Sequence, residues 1–371
     1  MSSVPKLASS RIDSVSVLAC TIPTDFPEAD GTIEWDKTTI VIVEAKSGNV
    51  AGIGYTYADV STATLIDSLV RHVVQGREAL DVGGSWSAMV RAIRNLGRPG
   101  ICSMAISAVD IALWDLKAKL LQLPLVKLLG AVREGIPVYG SGGFTSYSKE
   151  QLQRQLSDWV ESSIRTVKMK IGARPHADLQ RVRDAREAIG KGARLFVDAN
   201  GAYSRKQALE FAKWFRETAD VTWFEEPVSS DDLEGLRLIR DQGPSGLEIA
   251  AGEYGYDANY FRHMLEAGAV DVLQADATRC GGITGFLQAA ALCEAHAMPL
   301  SAHTAPSIHM QVCCAVSRAV HVEYFHDHVR VENILFEGVQ APFGGELVPD
   351  LTRYGLGLEL RRSEAARYAA R

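Results

Sequence analysis

Carboxylates follow three successive apolar runs in the middle of the chain. Asp198, Glu225 and Glu253 each stand at the end of such a run. If the runs are neighbouring parallel strands of a closed sheet, the three side chains meet at the carboxyl ends of those strands. Their mutual repulsion is relieved best by a hard divalent cation, and an all-oxygen ligand set favours Mg²⁺ over zinc. These residues therefore predict a Mg²⁺ site.

Basic side chains end two further apolar runs. Lys168 and Lys170 alternate with apolar residues, so both point to the same side of their strand. A neighbouring ammonium would lower the pKa of Lys170 and bring it into the range of a general base. His303 ends a later run and Asp276 ends the run before it, which would let the carboxylate orient the imidazole as a second base. Glu323 lies in the last run.

The runs that carry these side chains recur at regular intervals. Short β-rich runs begin near residues 136, 166, 194, 222, 248, 272, 299 and 322, and helical patterns lie between them, the seventh predicted at Ile308–Val320. Eight strands that alternate with helices are typical of a (β/α)8 barrel. In such a barrel the active site lies at the carboxyl ends of the strands, where seven of the eight runs carry ionisable groups. The sequence therefore predicts an α/β fold with a TIM barrel.

The rest of the chain is expected to form a cap on this barrel. Residues 12–57 have the pattern of strands and residues 62–129 that of helices. We predict an α+β capping domain at residues 1–130, the barrel at 131–343, and a C-terminal segment at 344–371 that returns to the cap. The segment Thr21–Trp35, rich in Pro, Asp and Gly, is predicted to be an irregular loop, either a surface connection or a lid over a site.

Composition excludes several classes of protein. The 371 residues are 47% hydrophobic and 23% charged, as in an ordinary globular protein. A net charge of −6 argues against nucleic acid or an anionic membrane surface as partner. The chain shows neither a signal-peptide pattern nor an apolar run long enough to span a bilayer, and its cysteines form no CxxC pair. We therefore expect a cytoplasmic protein with reduced thiols.

Taken in order, these motifs resemble the mandelate racemase subgroup of the enolase superfamily, over essentially the whole chain. The motifs that carry the resemblance are Lys168-Met-Lys170, Asp198-Ala-Asn200, Glu225-Glu-Pro227, Gly252-Glu253, Asp276, His303 and Glu323. The resemblance implies an enolase-like fold, in which a modified barrel is covered by a cap built from both ends of the chain. It also implies one Mg²⁺ per subunit and a small carboxylate substrate. We expect a homo-oligomer between a dimer and an octamer.

The resemblance implies roles for the residues at the barrel mouth. Lys170 would act as one base, and His303, held by Asp276, as the base on the opposite face of the substrate. Lys168 would help bind the substrate carboxylate and depress the pKa of Lys170. Glu323 would hydrogen-bond the enolate oxygen as an acid.

Further roles follow from the same resemblance. The three strand-end carboxylates Asp198, Glu225 and Glu253 would hold the Mg²⁺. Asn200 and Ser141 are candidates for polar contacts with the substrate. Together these residues would remove the proton α to a carboxylate and form an enediolate.

Two outcomes of that step remain open. Loss of a β-hydroxyl would dehydrate an acid sugar to a 2-keto-3-deoxy acid, which we favour because such dehydratases are common among similar families. Return of the proton from the other base would give a racemase or epimerase. A catalytically silent binding relative is a third possibility.

Two other barrel chemistries fit less well. A Schiff-base aldolase has no use for three converging carboxylates. A zinc amidohydrolase carries its His-x-His pair on an early strand, whereas His326 and His328 follow the eighth.

Overall fold

The N-terminal strands form an antiparallel sheet. The structure, a computed structural model, describes residues 10–370. The three strands are β1 (Ser14–Ala29), β2 (Glu34–Ser47) and β3 (Val50–Tyr57). β2 lies in the middle, where its run of β-branched residues is buried on both faces. This meander confirms the predicted strands at the start of the chain.

Helices cover one side of this sheet. They are α1 (Val60–Leu65), which continues through a π-helical turn (Ile66–Val70) into α2 (Arg71–Val74), then α3 (Val82–Ala92), α4 (Ile101–Leu120) and α5 (Leu125–Leu129). α4 is buried along most of its length. Gly52 and Gly54 of β3 let it come close, because a Cβ at either position would lie within 2.5 Å of its backbone.

Eight parallel strands form a closed barrel. They are β4 (Ile136–Gly142), β5 (Thr166–Lys170), β6 (Arg194–Asp198), β7 (Val221–Glu225), β8 (Glu248–Ala251), β9 (Val272–Ala275), β10 (Leu300–Ala302) and β11 (Ala319–Phe325). Each strand pairs with the next, and β11 pairs with β4 to close the ring. The predicted α/β barrel with an α+β cap is confirmed.

A helix follows each barrel strand. The eight are α6 (Lys149–Glu161), α7 (Pro175–Ile189), α8 (Arg205–Ala219), α9 (Leu233–Gln242), α10 (Ala258–Glu266), α11 (Gly282–Ala295), α12 (Pro306–Cys313) and α13 (His326–Leu335). The predicted helix Ile308–Val320 was wrong at its end, because Ala319 and Val320 already belong to β11. Apolar helical periodicity does not distinguish a helix end from the start of a buried strand.

Apolar side chains fill three layers. The largest cluster lies between the barrel strands and their helices, and a second lies between the cap sheet and α4. A third, small cluster fills the inside of the barrel. It consists of three aromatic and two aliphatic residues, Tyr139, Phe196, Trp223, Ala250 and Val272. The inside of the barrel is therefore a packed floor beneath the strand ends.

The C-terminal segment contacts both parts of the molecule. It contains β13 (Glu346–Leu347), β14 (Glu359–Leu360) and α14 (Arg362–Arg367), and β14 pairs with β12 (Phe336–Glu337), which lies just before the segment. β13 pairs with β4 of the barrel. Further along, the Thr21 N–H donates to the Tyr368 carbonyl at 2.9 Å, which ties the segment to β1. These contacts agree with a segment that returns to the cap, and the division at residues 130 and 343 stays a prediction.

Most of the segment Thr21–Trp35 lies in the strands of a β-hairpin, so its prediction as an irregular loop was wrong. β1 and β2 pair along it, with one irregularity in register between Pro23 and Glu28. The tip at Gly31 rests on the barrel, since a Cβ there would lie 2.4 Å from the Ala199 carbonyl oxygen. Residues with low strand propensity form strands here because cross-strand pairing and contact with the barrel outweigh local preference.

Within residues 10–370, no helix is both long enough and apolar enough to cross a membrane.

Candidate active site

The three predicted carboxylates lie together at the barrel mouth. Asp198, Glu225 and Glu253 stand at the ends of three adjacent strands and are buried. One carboxylate oxygen from each lies within 4.8 Å of the other two. Glu225 is held by the indole of Trp223, whose Nε1 donates to Oε2 at 2.9 Å. Parallel pairing in register brings these side chains together, as predicted from the strand ends.

Two buried lysines lie against one side of this carboxylate cluster. Lys170 Nζ lies 2.5 Å from Asp198 Oδ2. Lys168 Nζ lies 2.5 Å from Glu225 Oε1 and 2.8 Å from Glu323 Oε1. Both ammonium groups therefore compensate carboxylates that water does not reach.

The charge state of these lysines differs from the sequence-based expectation. Burial and the Lys168 ammonium lower the pKa of Lys170, but Asp198 and Glu253 outweigh them and raise it above its ordinary value. The pKa of Lys168 is likewise raised, because Glu225 and Glu323 outweigh burial. Lys168 lowers the pKa of Lys170 as predicted, but the expected net decrease into the range of a general base was wrong for this arrangement, because the carboxylates raise the pKa by more than Lys168 lowers it.

His303 lies at the other end of the carboxylate cluster. Its Nδ1 lies 2.9 Å from Asp276 Oδ2, and its Nε2 lies 3.0 Å from Glu253 Oε2. Asp276 is itself fixed by the backbone N–H of Thr278, which donates to Oδ1 at 2.7 Å. Burial lowers the pKa of His303, but the carboxylates of Glu253 and Asp276 outweigh burial, and the pKa rises to about 9.

Glu323 connects the lysine side of the site to the histidine side. Its Oε1 pairs with Lys168, its Oε2 accepts from the Thr304 N–H at 3.0 Å, and Oε2 lies 3.7 Å from His303 Nε2. Burial raises the pKa of Glu323, but Lys168 and His303 outweigh it and lower the pKa to about 2. In this arrangement Glu323 is a carboxylate.

A cavity of about 430 Å³ opens above these groups. Its barrel side includes Lys170, Asn200, Glu253, Tyr254, Arg279, His303, Thr304, Glu323, Phe325 and His328. Its cap side includes Asp30, Ile33, Trp35, Lys37, Thr38, Thr39, Tyr57 and Asp59. The cavity thus lies between the barrel mouth and the cap, with the two predicted bases on its floor.

Sequence reasoning missed several lining residues. Arg279 Nη1 lies 3.5 Å from Glu253 Oε1, and its Nε lies 3.7 Å from Asp276 Oδ2. Its position three residues after Asp276 was a usable signal. Trp35 belongs to the segment Thr21–Trp35, for which a lid over a site was one of two predictions. Lys37 on the cap gave no signal, because no local pattern says which cap residues meet the barrel.

The two candidates for substrate contact occupy different positions. Asn200 lines the cavity, and its Oδ1 is buried with no hydrogen-bond partner in the described part of the chain. Ser141 is buried on β4 next to Lys168 and is not part of the cavity wall. Glu226 is also buried. Burial, Glu253 and Asp198 raise its pKa well above the ordinary value.

The donor set fits a hard divalent cation. The carboxylate cluster offers only oxygen, which suits Mg²⁺ better than zinc. Burial and the negative charge of Asp198 raise the pKa of Glu225 to about 8, although two lysines stand nearby. A cation among these oxygens would compensate the negative charge of the buried carboxylates, which the two lysines do not fully neutralise.

Two family models match successive parts of the chain. Residues 15–130 match the mandelate racemase/muconate lactonizing enzyme N-terminal domain, and residues 151–365 match the enolase C-terminal domain-like family. The chain belongs to the mandelate racemase/muconate lactonizing enzyme family.

Relatives with a named activity align with nearly the whole chain. A 3,6-anhydro-alpha-L-galactonate cycloisomerase from Streptomyces coelicolor is 32% identical over 92% of this chain and 94% of its own. An L-talarate/galactarate dehydratase from Salmonella typhimurium is 31% identical over 96% of this chain and 90% of its own.

Solved structures agree with this assignment. A mandelate racemase/muconate lactonizing enzyme-like protein from Rubrobacter xylanophilus has a TM-score of 0.95 and 54% identity, covering 97% of this chain and 100% of its own. L-Talarate dehydratase from Polaromonas sp. JS666, complexed with Mg and L-glucarate, has a TM-score of 0.87 and 30% identity, covering 98% of both chains. The chain is therefore an enzyme of this family, a lyase or an isomerase.

Proposed function

We propose that this enzyme removes the proton α to the carboxylate of an acid sugar and then eliminates the β-hydroxyl, giving a 2-keto-3-deoxy acid. The observation that carries the proposal is the position of the two bases. Lys170 contacts the carboxylate cluster at Asp198 and His303 contacts it at Glu253, so the bases flank it from opposite ends. A substrate carboxylate held at the cluster would have a base on each side of its α-carbon.

Asp198, Glu225 and Glu253 would hold the Mg²⁺. When bound, Mg²⁺ would withdraw electrons from the substrate carboxylate and so increase the acidity of the α-proton. It would also compensate the carboxylates that now raise the pKa of Lys170, which would make the neutral amine more accessible. Lys168 would add a positive charge beside the substrate carboxylate.

Lys170 and His303 would exchange protons with the substrate. Lys170 Nζ would accept the α-proton in one stereochemical series. His303 Nε2 would donate a proton to the leaving hydroxyl, and Asp276 would hold the ring through Nδ1. Asp276, which is not among the proposed Mg²⁺ ligands, raises the pKa of His303 through its hydrogen bond and so favours the protonated imidazole that this acid role requires.

Glu323 would hydrogen-bond the oxygen that gains charge. That role requires its protonated form, whereas Lys168 and His303 now outweigh burial and hold its pKa low. An anionic substrate beside Glu323 would raise this pKa and favour the acid form. Asn200, whose Oδ1 lacks a partner among the described residues, would accept from a substrate hydroxyl.

The relatives support elimination from an acid sugar as the reaction class. The relative from Salmonella typhimurium is named an L-talarate/galactarate dehydratase. The relative from Polaromonas is named an L-talarate dehydratase and was crystallised with Mg and L-glucarate. Isomerisation is the second candidate. Bases on both sides permit return of the proton, and a cycloisomerase is among the relatives.

A library of acid sugars, incubated with Mg²⁺ and assayed with semicarbazide, tests the proposal. We expect a keto acid from one substrate or a small related group. α-Deuterium exchange with a change in optical rotation and no keto acid would establish the isomerase. Neither product nor exchange with any acid sugar would overturn both functions.

A further inference from the structure

A second group of possible metal ligands lies outside the active site. Asp25 and Glu28 belong to β1 of the cap hairpin, and His326 begins α13 of the barrel. One ligand atom from each lies within 4.8 Å of the others, and His326 Nε2 lies 3.0 Å from Asp25 Oδ2. We call these three residues the hairpin site.

Glu28 is the residue that needs explanation. It is fully buried, and its Oε2 accepts a 2.9 Å hydrogen bond from Trp35 Nε1. Its Oε1 is also buried, and the described residues provide no hydrogen-bond partner for it. The nearby cation Arg330 is already paired with Asp327 at 2.6 Å. A buried carboxylate oxygen without a partner is costly, and a bound cation would compensate it.

The hairpin site is accessible from solvent. The side chains of Asp25 and His326 are 37% and 27% exposed. They also line a cavity of about 500 Å³ beside the hairpin, so an ion can reach these two ligands from solvent. Two ligands can therefore adjust around an ion while the third is held in place by Trp35.

We propose that Asp25, Glu28 and His326 bind a divalent transition-metal ion that joins the cap hairpin to the barrel. One imidazole nitrogen and two carboxylates suit Zn²⁺ or a similar ion, whereas the oxygen-only active-site cluster suits Mg²⁺. The hairpin carries Trp35, which lines the substrate cavity and donates to Glu28. An ion here would therefore steady one wall of that cavity without taking part in the chemistry.

Cobalt binding tests the proposal, because Co²⁺ can replace Zn²⁺ and absorbs visible light. The full chain, stripped with EDTA, is titrated with Co²⁺, and bound ions are counted by equilibrium dialysis. We expect two ions per chain in the wild type and one in His326→Gln. Asp198→Asn combined with Glu225→Gln removes the active-site ion and should retain the other. His296→Gln, a change of an exposed histidine elsewhere, should bind two.

A milder variant keeps the test informative if His326→Gln does not fold, which circular dichroism reports. Asp25→Asn changes a partly exposed ligand, and we expect it to weaken binding of the second Co²⁺ at least about tenfold. A single bound ion in the wild type would overturn the proposal. So would two ions bound with wild-type affinity by every folded hairpin-site variant.

Discussion

At the scale of single residues, the site depends on charges that compensate one another away from water. Glu225 and Lys168 are both fully buried, and each is the other's nearest opposite charge. Removing one partner leaves the other charge buried and alone, which is strongly unfavourable. Substitutions in this cluster must therefore be judged by metal binding as well as by activity.

Glu225→Gln should weaken Mg²⁺ binding by more than about tenfold, because it removes one of three charged oxygen ligands. Isothermal calorimetry measures the change. Glu248→Gln is a matched control, since Glu248 is exposed at the opposite end of the neighbouring strand, β8. Equal Mg²⁺ affinity in Glu225→Gln and wild type would remove Glu225 from the proposed ligands.

At the scale of elements, the cap hairpin is placed by contact with the strand ends of the barrel. A Cβ on Gly31 would lie 2.4 Å from the Ala199 carbonyl oxygen and 2.7 Å from that of Ile171. Both oxygens belong to backbone that leads directly from barrel strands. The tip has no room for a side chain while it stays in contact with the barrel.

Gly31→Ala should displace the hairpin. If the hairpin kept its position, the added methyl group would clash with the barrel backbone at a cost of about 1–3 kcal/mol. The hairpin carries Trp35 into the cavity wall, so we expect KM to rise about tenfold, with a smaller effect on kcat. Steady-state kinetics on the substrate identified by the library measures this. Gly83→Ala adds a methyl group in open space and should leave KM unchanged. An unchanged KM in Gly31→Ala would show that the hairpin contact does not shape the cavity.

The elements also show what could be predicted from sequence. The ends of β6, β7 and β8 were predictable, because strand periodicity and the barrel repeat both place their last carboxylate at one face. Lys37 could not be placed, since its position depends on how the cap meets the barrel. The net shift in the pKa of Lys170 was predicted in the wrong direction. The motif shows the neighbouring lysine, which lowers the pKa, but not the short distance to Asp198, which raises it.

At the scale of the whole molecule, buried hydrogen bonds join the cap to the barrel. Glu332 on α13 accepts from the Tyr55 hydroxyl of β3 at 2.5 Å and from the Ser307 hydroxyl of α12 at 2.6 Å. Burial raises the pKa of Glu332 from 4.5 to about 7. Between pH 4.5 and about 7, the folded protein therefore keeps a proton on Glu332 that the unfolded chain releases.

This proton predicts the direction of a pH effect. Because the folded pKa lies above the unfolded one, the Glu332 contribution to stability is full below pH 4.5 and falls as pH rises through about 7. Urea unfolding measures the free energy of unfolding at pH 5 and at pH 8. The decrease from pH 5 to pH 8 should be smaller in Glu332→Gln than in wild type. Thr352→Ala, a change of an exposed residue in the C-terminal segment, serves as control and should lose as much as wild type. An equal loss in Glu332→Gln would mean that Glu332 has no raised pKa.

The central claim is that Lys170 removes the α-proton and that His303, at the opposite end of the carboxylate cluster, protonates the leaving β-hydroxyl. Proton NMR in D₂O follows loss of the α-proton signal and formation of product with Mg²⁺ and the identified acid sugar. We expect Lys170→Ala and His303→Asn each to slow dehydration by about 10²–10⁴-fold, and their combination to abolish α-proton exchange. Lys213→Ala, a change of an exposed lysine, should match wild type. Wild-type dehydration rates in both single variants would contradict the account.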